Sequence, residues 1–459
     1  MIFYSVAFLI LFGSASILFH LSKNTKQQHL VMLLASCVFY GYWDVRFLCL
    51  LVAEIGLCYG LMLAYSKTKR RAFVVGAVIF CLAVLGVFKY CNFFLDTLGV
   101  VFGIQNMSTL KLIIPLGISF YTFQALSYVF DVYRGIICAE KDFIKLAAYL
   151  TFFPQITSGP IVKARTFLPQ LDVFHKITKE NIYSGLQLFL LGLTKKLVFA
   201  DRIGVAVDAV FHAPAAYNGI SVLFAVLGYA LQIYCDFSGY SDMAIGIARI
   251  WGFNLGQNFN LPYLAQNPSD FWGRWHISLS DWFKQYVYIP LGGSRAGKWK
   301  TYRNLFITML LSGIWHGASW TFVIWGVFHA VYAVAHKLWR SLRGQSTKKS
   351  HPAVCLIANI PVICLSWVIF RADRMHTAFS VLRGLFNTAG ICYVNVYTVV
   401  YLAIAILVHV YAYKKNNGNA PQIALNLDLF KNKLLLAVWI CLIAMFAYAG
   451  DSAFIYAQF

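Results

Sequence analysis

Two histidines are the residues of this chain whose type and setting could do chemistry. His316 stands between Trp315 and Gly317 in a run that carries no charge after Arg303, as far as Trp325. A neutral imidazole held at membrane depth can take a proton from a hydroxyl, which is the task of a general base in acyl transfer. Gly313 and Gly317 remove bulk around it, and Trp315, Trp320 and Trp325 supply ring walls. The plainer reading is a structural histidine bonded to a carbonyl, and the residues alone leave both open. His276 is the second candidate. Trp272, Trp275, Phe283 and Tyr286 can form an apolar face with Arg274, Ser280 and Lys284 opposite, which predicts an interfacial helix over this stretch. A histidine at headgroup level fits that helix as well as a functional one does. A weaker signal is the glycine turn Leu291, Gly292, Gly293, Ser294, Arg295, whose amides and basic flank could receive the phosphates of an anionic ligand. Tyr456, near the C-terminus, reads either as an aromatic-belt residue or as a phenol that can carry an acyl group.

The elements that must position these groups are membrane helices. The chain has 459 residues, 60% hydrophobic and only 12% charged, with a mean hydropathy of +0.67. Soluble domains carry about 25% charged residues. The net charge of +21 comes from 38 Lys and Arg against 17 Asp and Glu. The basic residues fall in short loops between apolar runs, as the positive-inside rule produces, so nucleic acid is not an expected partner. The 11 cysteines are scattered, with no CxxC pair and no Cys/His spacing, which argues against a disulfide framework and a metal site. The first apolar run lacks a basic lead and reads as a retained span.

Along the chain, spans are expected at about residues 2–20, 31–43, 47–65 and 72–88, with the N-terminus outside. Lys67, Lys69, Arg70 and Arg71 form the firmest cytoplasmic marker. Pro115 and Gly117 break one apolar run, and Pro154, Gly159 and Pro160 break another. Such breaks predict re-entrant segments lining an internal cavity. Gln124, Ser127 and Asp131 can share a helix face. Lys195 and Lys196 interrupt the run at 183–200. A span at about 216–234 leads into CDFSGYSDMAIG, where Asp236 and Asp242 lie among small and aromatic residues. Acids at membrane depth cost about 2.5–3.5 kcal/mol each on insertion scales, so they are expected to face inward and pair. Residues 271–303 read as a cytoplasmic interfacial segment and 304–336 as a helical hairpin. About thirteen residues of helix carry the chain from Arg303 roughly 20 Å into the membrane core, to His316. Residues 337–350 form a basic cytoplasmic loop. Later spans at about 353–370, 396–410 and 434–448 leave the tail 451–459 outside. The whole of 1–459 reads as one membrane domain.

The motifs IPLGISFYTFQALSYVFDVYRG, FPQITSGPIVK, YCDFSGYSDMAIG, FWGRWHISLSDWFKQYVYIPLGG and NLFITMLLSGIWHGASWTFVIWG together resemble the membrane-bound O-acyltransferase family, in the bacterial branch that contains the membrane subunit of alginate O-acetylation. The resemblance covers nearly the whole chain. It implies an all-α polytopic fold of about ten or more transmembrane helices, with re-entrant and interfacial helices around a central tunnel. It places the family's signature histidine on His316 and its second polar position on His276. It implies cytoplasmic acetyl-CoA as donor substrate, with no tightly bound cofactor, and Arg274, Trp275, Lys284, Arg295, Trp315, Asp236 and Asp242 along the donor site and tunnel. The ending FIYAQF is similar to a motif in which a tyrosine carries the acyl group, which puts Tyr456 in that role.

On this reading the protein lies in the inner membrane of a bacterium, in contact with lipid. It works with a secreted or anchored partner of the SGNH esterase type and O-acetylates a polysaccharide outside. D-alanyl transfer to teichoic acid is the rival within enzymes. A transporter or flippase is the rival outside them, although no internal repeat supports it.

Overall fold

The computed structural model describes residues 1–104, 110, 112–295, 297–343, 351–415, 433–448, 450 and 454–455. They are helical almost throughout, and the chain is a multi-pass membrane protein. Among the described residues seven helical segments are long and apolar enough to cross a membrane, and Val6–Leu21 and Leu434–Phe446 are shorter apolar helices. The chain forms two compact units where the sequence reads as one domain. The first comprises Met1–Leu190 and Ser241–Gly256, the second Leu191–Tyr240 and Gln257–Phe459.

In the first unit, short polar residues start the helices. Ser5 accepts a hydrogen bond from the Phe8 amide, Asn24 from Gln27 and Asp44 from Arg46, each satisfying an amide that the first helical turn leaves unpaired. Val6, Ile10 and Ile17 are exposed on one face of the first helix, as lipid contact requires. Phe8, Phe19, Phe153 and Trp251 are buried in an aromatic core. Trp251 stacks on Phe12 and Phe19 with centroids 5.7 and 4.8 Å away, and its indole N–H donates to Ser16 Oγ at 2.8 Å. Gln124, Ser127 and Asp131 are all buried, as their spacing predicts.

The second broken segment is tightly packed, and in the first Pro115 is buried while Ile113 and Ile114 are exposed. Phe152, Phe153, Gln155 and Ile156 are 0% exposed. Gly117 adopts φ +73°, and a Cβ there would collide with the Ile156 carbonyl, so only glycine fits that approach. The backbone groups freed by the breaks find side chains. Tyr40 donates to the Leu116 carbonyl, Tyr149 to the Val162 carbonyl, and the Ala164 amide donates to Ser127 Oγ.

In the second unit a 19-residue helix, Lys298–His316, is followed after a short extended link by Trp320–Leu342. They form a tight hairpin. Gly313 faces Gly326 across it, and a Cβ on Gly313 would stand 2.7 Å from the Gly326 Cα. Small residues at such a crossing let membrane helices approach backbone to backbone. Among the described residues three π-helical turns interrupt the helices, Gly86–Tyr90 in the first unit and Thr194–Ala200 and Lys284–Tyr288 in the second. In the wide π turn residues five apart come onto one side.

The stretch expected as a single interfacial helix is broken. It forms Pro268–Trp272 and Ile277–Phe283, separated by a turn in which His276 takes φ +43°. Phe271, Trp275 and His276 are 0% exposed, whereas Gly273 and Lys284 are exposed, so the segment buries its aromatic side.

Candidate active site

His316 is the last residue of its helix. Gly317 continues in extended conformation, and Ser319 caps the next helix by accepting from the Thr321 amide. A Cβ on Gly317 would fall into the Phe322 ring, so this glycine makes room for an aromatic wall. Aromatic rings stand around the imidazole. Trp315 lies 5.1 Å away, Trp325 4.9 Å and Phe370 5.3 Å, all near edge-on. His316 is only 3% exposed, enclosed among aromatic side chains.

His276 is held by Asn258. Asn258 Oδ1 accepts from the Ser278 amide at 3.2 Å and from Ser278 Oγ at 2.9 Å. A backbone amide can only donate, which fixes the Asn258 oxygen as the acceptor. The Nδ1 of His276, 3.2 Å from the same oxygen, must therefore carry the proton, and Nε2 is the basic nitrogen. The left-handed backbone at His276 is costly for a non-glycine residue. It persists because the Asn258 carbonyl also accepts from the Ile277 amide, clamping the turn on both sides. His276 lies between the spanning segments, and burial pushes its pKa down to about 3, so the ring is neutral in ordinary conditions.

Trp315 joins the two imidazoles, with its ring 6.0 Å from His276 and 5.1 Å from His316. Phe237 meets His276 edge-on at 4.7 Å. Trp275 belongs to the same aromatic cluster, 5.1 Å from Phe259 and 4.7 Å from Trp367. These groups do come together.

The remaining expected residues are more dispersed. Arg274 pairs with Asp270 at 2.6 Å and is partly exposed. Lys284 and Arg295 are exposed. The glycine turn before Arg295 is pinned by Asn304, whose side-chain amide donates to the carbonyls of Leu291 and Gly293. Asp236 is buried and ion-paired to Lys196 at 2.7 Å, as its depth predicts. Asp242 is half-buried and belongs to the first unit. Tyr456 lies outside the described residues. Among the described residues no cluster of three or more His, Cys, Asp or Glu is placed to hold a metal.

Sequence reasoning missed three groups here. Asn258 gives no local signal, since it stands eighteen positions before the histidine it orients. Lys196 reads only as an interruption of an apolar run. His329 is 1% exposed, with Trp325 at 4.5 Å and Trp272 at 5.0 Å, and its nitrogens have no hydrogen-bond partner among the described residues. Its signal was available, because it follows Trp325 by four residues on one helix face.

Residues 139–379 match the sequence model of the membrane-bound O-acyltransferase family. A probable alginate O-acetylase of Azotobacter vinelandii is 38% identical over 397 residues, covering 84% of this chain and 78% of that protein. The peptidoglycan O-acetyltransferase of Helicobacter pylori is 36% identical over 404 residues, covering 81% and 76%. The teichoic acid D-alanyltransferase of Bacillus subtilis is 28% identical over 285 residues, covering 58% and 71%.

Proposed function

This chain belongs to the membrane-bound O-acyltransferase family and is an acyltransferase, and on that footing we propose that it moves acetyl groups from cytoplasmic acetyl-CoA to hydroxyls of a polysaccharide or cell-wall polymer outside a bacterial inner membrane. The observation that carries the reading is the pairing of two enclosed imidazoles, His316 and His276, on either side of Trp315.

His316 takes the proton of the acceptor hydroxyl. The oxygen bonds to the thioester carbonyl carbon. The adduct collapses with cleavage of the C–S bond, and the imidazolium returns the proton to the departing thiolate. The products are an acetyl ester and free coenzyme A. His276 offers Nε2 as a fixed acceptor that can hold the incoming hydroxyl in line. The aromatic enclosure keeps water from the thioester, and its rings must move aside to admit it. Arg274, Lys284 and Arg295 attract the anionic donor, most strongly at low salt. The acceptor hydroxyl belongs to the polymer, to Tyr456 acting as a relay, or to a partner of the SGNH esterase type.

The test is transfer of labelled acetyl from acetyl-CoA by the purified protein. Replacing the base should cost at least ~10²-fold, so His316→Ala is expected to lose transfer to that extent while keeping the wild-type elution profile and unfolding midpoint. Turnover near wild type in that variant would overturn the assignment. Acylation from a charged carrier protein and none from acetyl-CoA would favour D-alanyl transfer.

A further inference from the structure

The second unit also holds a buried ion triad. Lys196 Nζ lies 2.8 Å from Asp201 Oδ1 and 2.7 Å from Asp236 Oδ1, with all three side chains at most 6% exposed. The π turn Thr194–Ala200 makes this possible. The Asp201 amide bonds to the Lys196 carbonyl, five residues back, so the two side chains share a side. In an α-helix five residues would set them about 140° apart. The third member reaches them because Gly239, one turn along from Asp236, approaches Gly192 so closely that a Cβ would sit 2.7 Å from its carbonyl.

The triad also holds something. Asp236 Oδ2 accepts the backbone amide of Ile455 at 2.8 Å. Ile455 is 8% exposed. Phe454 stacks on Tyr240 at 4.7 Å and lies 6.1 Å from Phe237, the ring that meets His276 edge-on. Upstream, the Tyr448 amide donates to the Leu197 carbonyl. Arg202 reaches the carbonyls of Phe446 and Ala447 at 2.5 and 3.2 Å. Most of these contacts hold the segment by its main chain, in the manner of a peptide-binding site.

We propose that Lys196, Asp201 and Asp236 are the seat of the chain's own C-terminal segment, and that they act on acyl transfer as positioning residues by fixing that segment beside the Phe237–His276 contact. A net negative triad receiving a backbone amide is a charge-assisted bond in a dry setting, about twice as strong as a neutral one. The second half of the proposal rests on the acyltransferase mechanism above, and the first half does not.

The test uses the full-length protein in detergent with two readouts. In hydrogen exchange, the Ile455 amide is expected to be protected in wild type and to exchange at least tenfold faster in Asp236→Ala, with the core of Gly219–Ile250 unchanged. In acetyl transfer, Asp236→Ala and a chain ending at Gly450 should fall by similar factors, and the two combined should be no slower than the shortened chain alone. Unchanged exchange at Ile455 would overturn the seat. A combined loss equal to the product of the separate losses would overturn the positioning role. Should Asp236→Ala not fold, Asp236→Asn keeps the side-chain volume while removing the charge that accepts the Ile455 amide, and gives the same two readouts. If wild type itself moves no acetyl group, exchange still decides the seat while the transferase reading fails alone.

Discussion

Gly313→Ala tests whether the backbone contact between two helices sets the position of His316. The added Cβ would stand 2.5 Å from the Phe322 carbonyl and 2.7 Å from the Gly326 Cα, where ordinary contact begins at 3.4 Å. Relief therefore needs 3.4 − 2.5 = 0.9 Å of opening. No flexible side chain can give way, since the opposing atoms are backbone. The helix Lys298–His316 must shift, and His316 is three residues along it. Overpacking of this kind costs about 1–3 kcal/mol of stability. Misplacing a catalytic group by about 1 Å costs about 10²-fold in rate, or about 2.7 kcal/mol of transition-state stabilisation. The expected outcome is a lower unfolding midpoint and a turnover reduced about a hundredfold, read by labelled acetyl transfer. Gly56→Ala is the control, because a Cβ there meets nothing within 4 Å. A Gly313→Ala protein with turnover within twofold of wild type would refute the reasoning, since the hairpin would then not set the imidazole.

Two further outcomes follow from contacts in the second unit. Asn258→Leu removes the acceptor that fixes the His276 tautomer and turn, and leaves the Ser278 donors without their partner. Losing such bonds costs about 1–3 kcal/mol, so kcat should drop between about fivefold and about 160-fold with little change in KM, and a selective rise in KM would contradict a positioning role. Lys196→Met strands Asp201 and Asp236 with no lysine between them. Breaking a buried pair costs about 3–5 kcal/mol, which should appear as a much lower denaturant midpoint, and an unchanged midpoint would remove the triad from the stability of this unit.

Much of the fold was legible because lipid imposes simple rules. Lys67 and Lys69 end the third helix where the charge pattern places its end. His316 stood out because an imidazole between Trp and Gly in an uncharged run has few bland explanations. The turn at His276 did not stand out, because the aromatic and basic residues around it satisfy a continuous amphipathic pattern equally well. Only the hydrogen bonds from Asn258 break that degeneracy, and they come from far along the chain. Lys196 and Asp201 were unreadable for a different reason. A spacing of five points to opposite sides of an α-helix, and nothing in the composition announces a π turn. Pro115 and Gly117 were legible as a break, but what fills the break is tertiary packing.

The five-residue loops of hydrogen bonding at Thr194–Ala200 carry one residue more than an α-helix would use. Losing any one residue there would leave a longer uninterrupted helix that is locally more regular. It would also turn every later side chain of Asp201–His212 by about 100° about the axis. Arg202 would swing off the carbonyls it now grips, and Asp201 would part from its lysine. Away from Lys196, Asp201 and Arg202, this part of the chain should thus tolerate exchanges of residue type better than a change in length.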